Sequence, residues 1–346
     1  MISSDMEAKV STAVVGLGYW GPNLARNLAA SDRTTLAGLC DLDDSRLQGV
    51  AAHHPAAKAT RDVEEILADP SIDAVSIATP VRTHFELARA ALLAGKHVLI
   101  EKPFTSSSLE ARELIDLAAR TGRVLMIDHV FIYSPPVRKL KEIVDSGEIG
   151  ELQFIDSVRI NLGLFQEDVN VIWDLAPHDL SIIDHLLGRP PLRVMATGSC
   201  HTGNGLANVA YLHLDYGDDV LVSLHVNWMS PVKIRHFLVG GSRRSVLYND
   251  LDPSEPIKVY DRGIDLQTHP EDRRQVMISY RSGDVISPRV DRTEALQNVV
   301  EHFADRIVHG VTPISGGEQG LRLVRILEAA DLSLAKGGAQ VELTDV

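Results

Sequence analysis

Cysteine is nearly missing: Cys40 and Cys200 are the only two in 346 residues, and no CxxC pair occurs. That excludes a disulfide framework and a thiolate zinc knuckle, and it suits a reducing cytosol. Long apolar runs are missing as well, and none approaches the ~20 residues that a membrane helix needs. The opening Met-Ile-Ser-Ser-Asp-Met-Glu-Ala-Lys lacks the basic-then-apolar pattern of a signal peptide. Positive charge is in deficit, with 34 Lys and Arg against 47 Asp and Glu, a net −13. Such a surface repels phosphate backbones and anionic lipid, and the Arg243-Arg244 and Arg273-Arg274 pairs are too short to reverse it. Neither a G-x-S-x-G elbow nor a P-loop occurs. What is present is ordinary globular composition, 45% apolar and 23% charged, in a chain long enough for two domains. The expectation is a soluble cytoplasmic protein that engages neither nucleic acid nor membrane.

Over the first 130 residues, short apolar runs alternate with amphipathic ones. Val10–Gly16, Thr35–Asp41, Ala74–Ala78, His97–Glu101 and Val124–Asp128 read as strands buried on both faces. Between them the spacing predicts helices over Pro22–Ala30, Asp43–His53, Val63–Ala68, Thr83–Ala94 and Leu109–Thr121. Ser107-Ser108-Leu109-Glu110 reads as a capping box, Pro22 suits a first turn, and Gly95 and Gly122 stand where left-handed C-caps belong. Strand–helix alternation at this pitch predicts right-handed crossovers and a doubly wound parallel sheet.

After residue 128 the rhythm changes. Helices are expected over Pro136–Asp145, from about Asp174 to just before Gly188, over Glu294–His309 and over Gln319–Ala335. Strands with hairpin-length links fill the interval: Leu192–His201, Asn208–Tyr216, Asp219–Met229, Ile234–Val239, Ser245–Asn249 and Lys258–Asp261. In the third of these, Val220, Val222, Leu224, Val226 and Trp228 alternate with Leu221, Ser223, His225 and Asn227, giving one apolar face and one mostly polar face. The fold class is therefore α/β over residues 1–128, followed by an α+β domain with a mostly antiparallel open sheet over 129–346. A sheet face left uncovered by helices needs a partner, which predicts a homodimer or homotetramer through that sheet.

Gly16-Leu17-Gly18-Tyr19-Trp20-Gly21 fits G-x-G-x-x-G between the apolar strand Ala13-Val14-Val15 and a helix opened by Pro22. In a Rossmann turn the first glycine permits the tight bend, the second lets backbone approach a pyrophosphate, and the third lets helix and strand pack closely. The helix N-terminus then presents free N–H groups to the phosphates. The second strand ends in Asp41, placed to accept hydrogen bonds from ribose hydroxyls. Leu42 and Asp43 follow, with no arginine for a 2′-phosphate, so NAD is favoured over NADP.

Two later segments offer proton-transfer groups. Lys102, in Glu101-Lys102-Pro103, lies at the carboxyl end of a strand, the edge where open α/β sheets bind ligands. It is read either as a group that fixes a substrate oxygen or as a surface ammonium paired with Glu101. In Trp173-Asp174-Leu175-Ala176-Pro177-His178, Asp174 and His178 are four apart and share one helical face. A histidine titrates near neutrality and takes a hydroxyl proton, with the carboxylate beside it. The competing reading makes Asp174 the helix N-cap, Pro177 a first-turn residue and His178 a core histidine. Two ligands without a third make a metal site a poor fit. His53-His54 and Cys200-His201 are assigned nothing.

These residues, with Ile77-Ala78-Thr79-Pro80 and His84, stand in the order and spacing of the Gfo/Idh/MocA oxidoreductases, which the chain resembles over nearly its whole length. The resemblance implies that Lys102 binds the reacting hydroxyl, that His178 is the acid/base, and that Asp174 contacts substrate. It implies that Thr79, Pro80, His84 and Glu101 lie near the nicotinamide and its ribose, that Asn161 and Trp173 line the substrate position, and that Lys102–Pro103 is cis. Asp128–Tyr133, Asn161–Phe165 and Ser282–Pro288 look most like members that act at C3 of a nucleotide-linked hexose. Pro177 departs from the pattern, which commonly has a small residue there. The expected activity is NAD-dependent hydride transfer at a secondary hydroxyl of a sugar, inositol or sugar nucleotide, without metal. An NAD-retaining glycosidase of the same family and a non-catalytic NAD-binding regulator are the rivals; net NADH accumulation separates the first from both.

Overall fold

The computed structural model describes residues 9–343 except Leu164, Glu167 and 269–275. The amino-terminal residues 1–8, Leu164 of the Asn161–Phe165 segment and the Arg273-Arg274 pair lie outside the described residues. The chain forms two compact units, Met1–Ser134 with Thr293–Glu328, and Pro135–Arg292 with Ala329–Val346.

In the first unit a strand–helix alternation runs β1 (Val10–Val15), α1 (Gly21–Ala30), β2 (Thr34–Cys40), α2 (Asp44–Ala51), β3 (Lys58–Thr60) and α3 (Val63–Leu67). It continues with β4 (Ala74–Ile77), α4 (His84–Leu93), β5 (His97–Glu101), α5 (Ser108–Thr121) and β6 (Leu125–Asp128). The strands make one sheet in the order β3-β2-β1-β4-β5-β6, every pairing parallel. Ala13, Val14, Val98, Leu99 and Ile100 are shut off from solvent on both faces, which is why these strands read as unbroken apolar runs. The order reverses between β1 and β4, and that switch point opens the crevice at the carboxyl edge. β3 was not expected: three residues, Lys58-Ala59-Thr60, carry too little periodicity to register.

The second unit holds α6 (Pro135–Asp145), β7 (Leu152–Leu162), α7 (Val171–Leu187), β8 (Arg193–Ser199), β9 (Val209–Asp215), β10 (Leu221–Asn227) and β11 (Met229–Gly241). Then follow β12 (Ser245–Asn249), β13 (Ile257–Thr268) and β14 (Val276–Ile286). After these come α8 (Ala295–His309), α9 (Gly317–Ala335) and the short β15 (Val341–Glu342). The second sheet has the order β14-β13-β12-β11-β7-β10-β9-β8-β15, antiparallel except where β7 and β10 run together. In β10, Val222, Leu224 and Val226 are buried while Leu221 is exposed, as the alternation predicted. α8 returns to the first unit, where Glu294 takes both Arg26 nitrogens at 2.9 and 2.6 Å, and Leu296, Val299, Val300 and Phe303 are buried.

The sequence reading missed β7, although it lies at the centre of the second sheet. Its inward positions include Ser157 and Arg159, each 3% exposed, so the apolar period of two is erased. It also missed β14 and β15, and it began β11 five residues late. The start of β11 is irregular, with a register shift between Met229 and Ile234 around Pro231, which has no N–H for a ladder.

Candidate active site

The first cluster stands at the carboxyl edge of the parallel sheet. Gly16 follows β1 with φ +93°, and a Cβ there would meet Ala78 O at 2.6 Å. At Gly21 a Cβ would sit 2.0 Å from Gly16 O. Both glycines are therefore required by the turn's own backbone. Gly18 is different: its missing Cβ points into open space, with Arg46 Nη1 the nearest atom at 3.8 Å. Nothing in the protein's own packing needs that glycine. The Asp41 carboxylate, at the end of β2, accepts the Leu17 N–H at 2.6 Å and the Asp43 N–H at 2.8 Å, fastening the turn. Leu17 is buried and Tyr19 is 86% exposed. Trp20 turns its indole away to donate to Asp128 Oδ2 at 3.1 Å.

Thr79 and Pro80 follow β4. His84, buried in α4, faces Thr79 O through Nε2 at 2.8 Å and Pro103 O through Nδ1 at 2.9 Å. Burial pushes its pKa down against the pull of these carbonyls, so the neutral ring donates to one at a time and ties the ends of β4 and β5 together. The Lys102–Pro103 peptide is cis. Glu101 Oε2 accepts the Lys102 N–H at 2.9 Å, leaving the half-buried lysine side chain at the strand end. These residues, from Gly16 to Lys102, share one edge of one sheet.

The second cluster is carried by α7, which begins at Val171 rather than Asp174. Asn170 is the N-cap, its Oδ1 accepting Ile172 N–H at 3.0 Å and Trp173 N–H at 3.2 Å. Asp174 is thus not the cap, and Pro177 falls inside the helix, where it withholds one backbone N–H. The Trp173 indole donates to Asp331 Oδ2 at 2.6 Å and is 8% exposed, which gives that ring a fastening role at the helix start. From Val171 to Leu180 only Asp174, Leu175 and His178 escape burial, a single stripe at helical spacing. Asp174 Oδ2 accepts the Trp228 indole N–H at 3.0 Å, with Trp228 itself 1% exposed. Gly163 allows this, since a Cβ there would strike Trp228 Cδ1 at 2.7 Å and approach Asn161 Nδ2 at 3.2 Å. Asn161 therefore stands at the end of β7 beside the tryptophan that holds Asp174.

Several supporting residues carried no motif signal. Arg159 of β7 meets Asp179 twice, at 2.7 and 3.0 Å, both side chains 4% exposed, and pins α7 to the sheet directly after His178. Burial opposes the Arg159 charge, but Asp179 outweighs it and the guanidinium pKa is raised. Trp228 and Asn170 belong to the same class, while His129, within the Asp128–Tyr133 segment, has its pKa pushed down to about 3 by burial and the Lys102 charge. Each is visible only once its neighbour in space is known. Among the described residues no cluster of three His, Cys, Asp or Glu is arranged to hold a metal, and no helix is long and apolar enough to cross a membrane.

Comparison with known proteins extends this picture. Residues 10–129 match the Gfo/Idh/MocA oxidoreductase family model for the NAD-binding Rossmann fold, and residues 137–247 match its C-terminal domain model. The chain is 37% identical over 190 residues to UDP-N-acetylglucosamine 3-dehydrogenase of Acidithiobacillus ferrooxidans, spanning 54% of this chain and 57% of that one. It is 30% identical over 263 residues to the oxidoreductase YdgJ of Escherichia coli, spanning 72% and 74%. The solved structure of the A. ferrooxidans enzyme superposes with a TM-score of 0.80 at 26% identity, covering 95% of this chain and 99% of that one.

Proposed function

The chain belongs to the Gfo/Idh/MocA family of NAD-binding oxidoreductases, and from that premise we propose that it is an NAD-dependent dehydrogenase or ketoreductase acting at C3 of a nucleotide-linked hexose. One observation carries the reading: over Val171–Leu180 of α7 only Asp174, Leu175 and His178 escape burial, and the two polar members of that stripe are held in place by Trp228 and by the Arg159–Asp179 pair.

The Gly16–Gly21 turn, Asp41, Thr79, Pro80 and Glu101 would hold NAD, whose nicotinamide supplies the hydride acceptor. In the oxidative direction His178 takes the proton of the reacting hydroxyl as general base. The Lys102 ammonium donates to the same oxygen and stabilises the charge that develops on it, while Asp174 fixes the sugar's orientation. In reduction the same groups run in reverse, with His178 returning the proton. Asn161, at the end of β7 near Trp228, is the proposed contact for a further substrate hydroxyl. NAD is preferred to NADP because the Asp41 and Asp43 carboxylates meet the position of a 2′-phosphate with like charge. A second copy of the chain would cover the helix-free face of the second sheet, where Met195, Tyr211, Leu221 and Phe154 are exposed. The test is kinetic: Lys102→Ala and His178→Ala should each lose about 10²-fold or more in kcat, the range of general acid–base and oxyanion effects, while NAD still binds. Near-normal turnover in both variants would remove the mechanism.

A further inference from the structure

β5 and β6 end side by side, and their last residues, Glu101 and Asp128, are direct partners in the parallel register. Asp128 is 1% exposed, and as register partners on neighbouring parallel strands the two residues send their side chains to the same face of the sheet. Yet Asp128 Oδ1 has no donor among the described residues. Two ionised carboxylates present four oxygens and no donor, and side by side, with Asp128 buried and Glu101 half-buried, they repel. A single proton between them supplies the missing donor and removes the repulsion. Each of the two carboxylates also accepts a hydrogen bond from the surrounding protein. Glu101 Oε2 takes the Lys102 N–H at 2.9 Å, and Asp128 Oδ2 takes the Trp20 indole N–H at 3.1 Å.

We propose that Glu101 and Asp128 share one proton and act as a positioning pair, joining the backbone of Lys102 to the glycine turn through Trp20. This deepens the dehydrogenase reading and rests on it for the roles of Lys102 and the turn. The charged and titratable groups that face the pair are few. On the β5 side stands Lys102, whose ammonium balances the pair's single negative charge. On the β6 side stands His129, kept neutral by burial and by Lys102. On the α1 side the contact is Trp20, which carries no charge. Burial raises both carboxyls, and for Glu101 the neighbouring Asp128 adds to it. Both shifts hold the shared proton to higher pH than an isolated carboxyl would, and it is lost as pH climbs. Loss leaves two repelling carboxylates, and the turn and the lysine strand come apart.

The measurement is the Kd of NADH, read by fluorescence from pH 6 to 10, on the full chain and its Asp128→Asn and Asp128→Ala variants. Wild type should weaken about tenfold across one inflection within that range, the scale of one lost charge-assisted hydrogen bond. Asp128→Asn carries a permanent donor toward Glu101 and a carbonyl toward Trp20, so its curve should stay flat within about twofold while Asp128→Ala binds weakly throughout. An Asp128→Asn curve with the wild-type inflection, or a wild-type curve with none, overturns the proposal. If Asp128→Ala fails to fold, Trp20→Phe replaces it: the inflection should persist while binding weakens several-fold, and unchanged binding refutes the link. Because binding needs no sugar, absence of turnover on every sugar tried would sink the dehydrogenase reading and leave this result standing.

Discussion

The two candidate clusters, one in each unit, are built by opposite means. At the parallel sheet the cofactor turn is made of backbone and of missing atoms, with Gly16 and Gly21 empty so that strand and helix can touch and Gly18 empty toward solvent. On α7 the polar stripe is made by adding side chains: an asparagine cap, two tryptophans and a buried arginine–aspartate pair. The first kind of construction is harmed by adding atoms, the second by deleting them.

That contrast orders the expected effects. Asp179→Ala strands the Arg159 charge in the interior and should cost about 3–5 kcal/mol in urea unfolding, since breaking a buried pair leaves one ion uncompensated. A loss under about 1 kcal/mol would mean that the pair does not hold α7. Gly21→Ala should cost about 1–3 kcal/mol, as overpacking does, because its Cβ overlaps Gly16 O. Gly18→Ala should leave the melting curve within about 0.5 kcal/mol yet weaken NAD about tenfold or more, since only the ligand occupies that space. Equal affinity in wild type and Gly18→Ala would mean that the pyrophosphate lies elsewhere.

Smaller effects separate the halves further. His97 Nδ1 accepts the Val124 N–H at 2.9 Å, and burial, with the Arg123 charge, pushes its pKa down to about 4. The unfolded chain takes up that proton near pH 6.5 and the folded chain does not, so stability is lost as pH falls from about 6.5 toward 4. Because the ring is partly exposed, the loss should be about 1–2 kcal/mol, and His97→Leu should flatten it. Asn170→Ala should cost about 1 kcal/mol, the ordinary worth of a helix cap, and chemical unfolding resolves that.

The first unit was largely legible in the sequence because its strands are buried on both faces, and an unbroken apolar run such as Val98-Leu99-Ile100 has one structural reading. Its turn was legible because glycine spacing reports backbone directly. The second unit hides its centre: β7 places Ser157 and Arg159 inward, and no local pattern announces an arginine whose partner is 20 residues away. The start of α7 was misplaced for a related reason. Asn170 precedes a stretch in which Asp174 is an equally plausible cap, and only the hydrogen bonds to Ile172 and Trp173 decide between them. Trp20 shows the same limit inside a recognised motif. Its position matched the glycine fingerprint, but its indole serves Asp128, 108 residues further on.

The most direct check is absorbance at 340 nm with the purified chain, NAD or NADH, and a panel of free sugars, inositols and UDP- and dTDP-linked hexoses and 3-ketohexoses. Hydride transfer predicts a steady change with at least one nucleotide-linked sugar, abolished in His178→Ala although NADH binds as before. A flat trace in both directions across the whole panel, or an unchanged rate in His178→Ala, would contradict it.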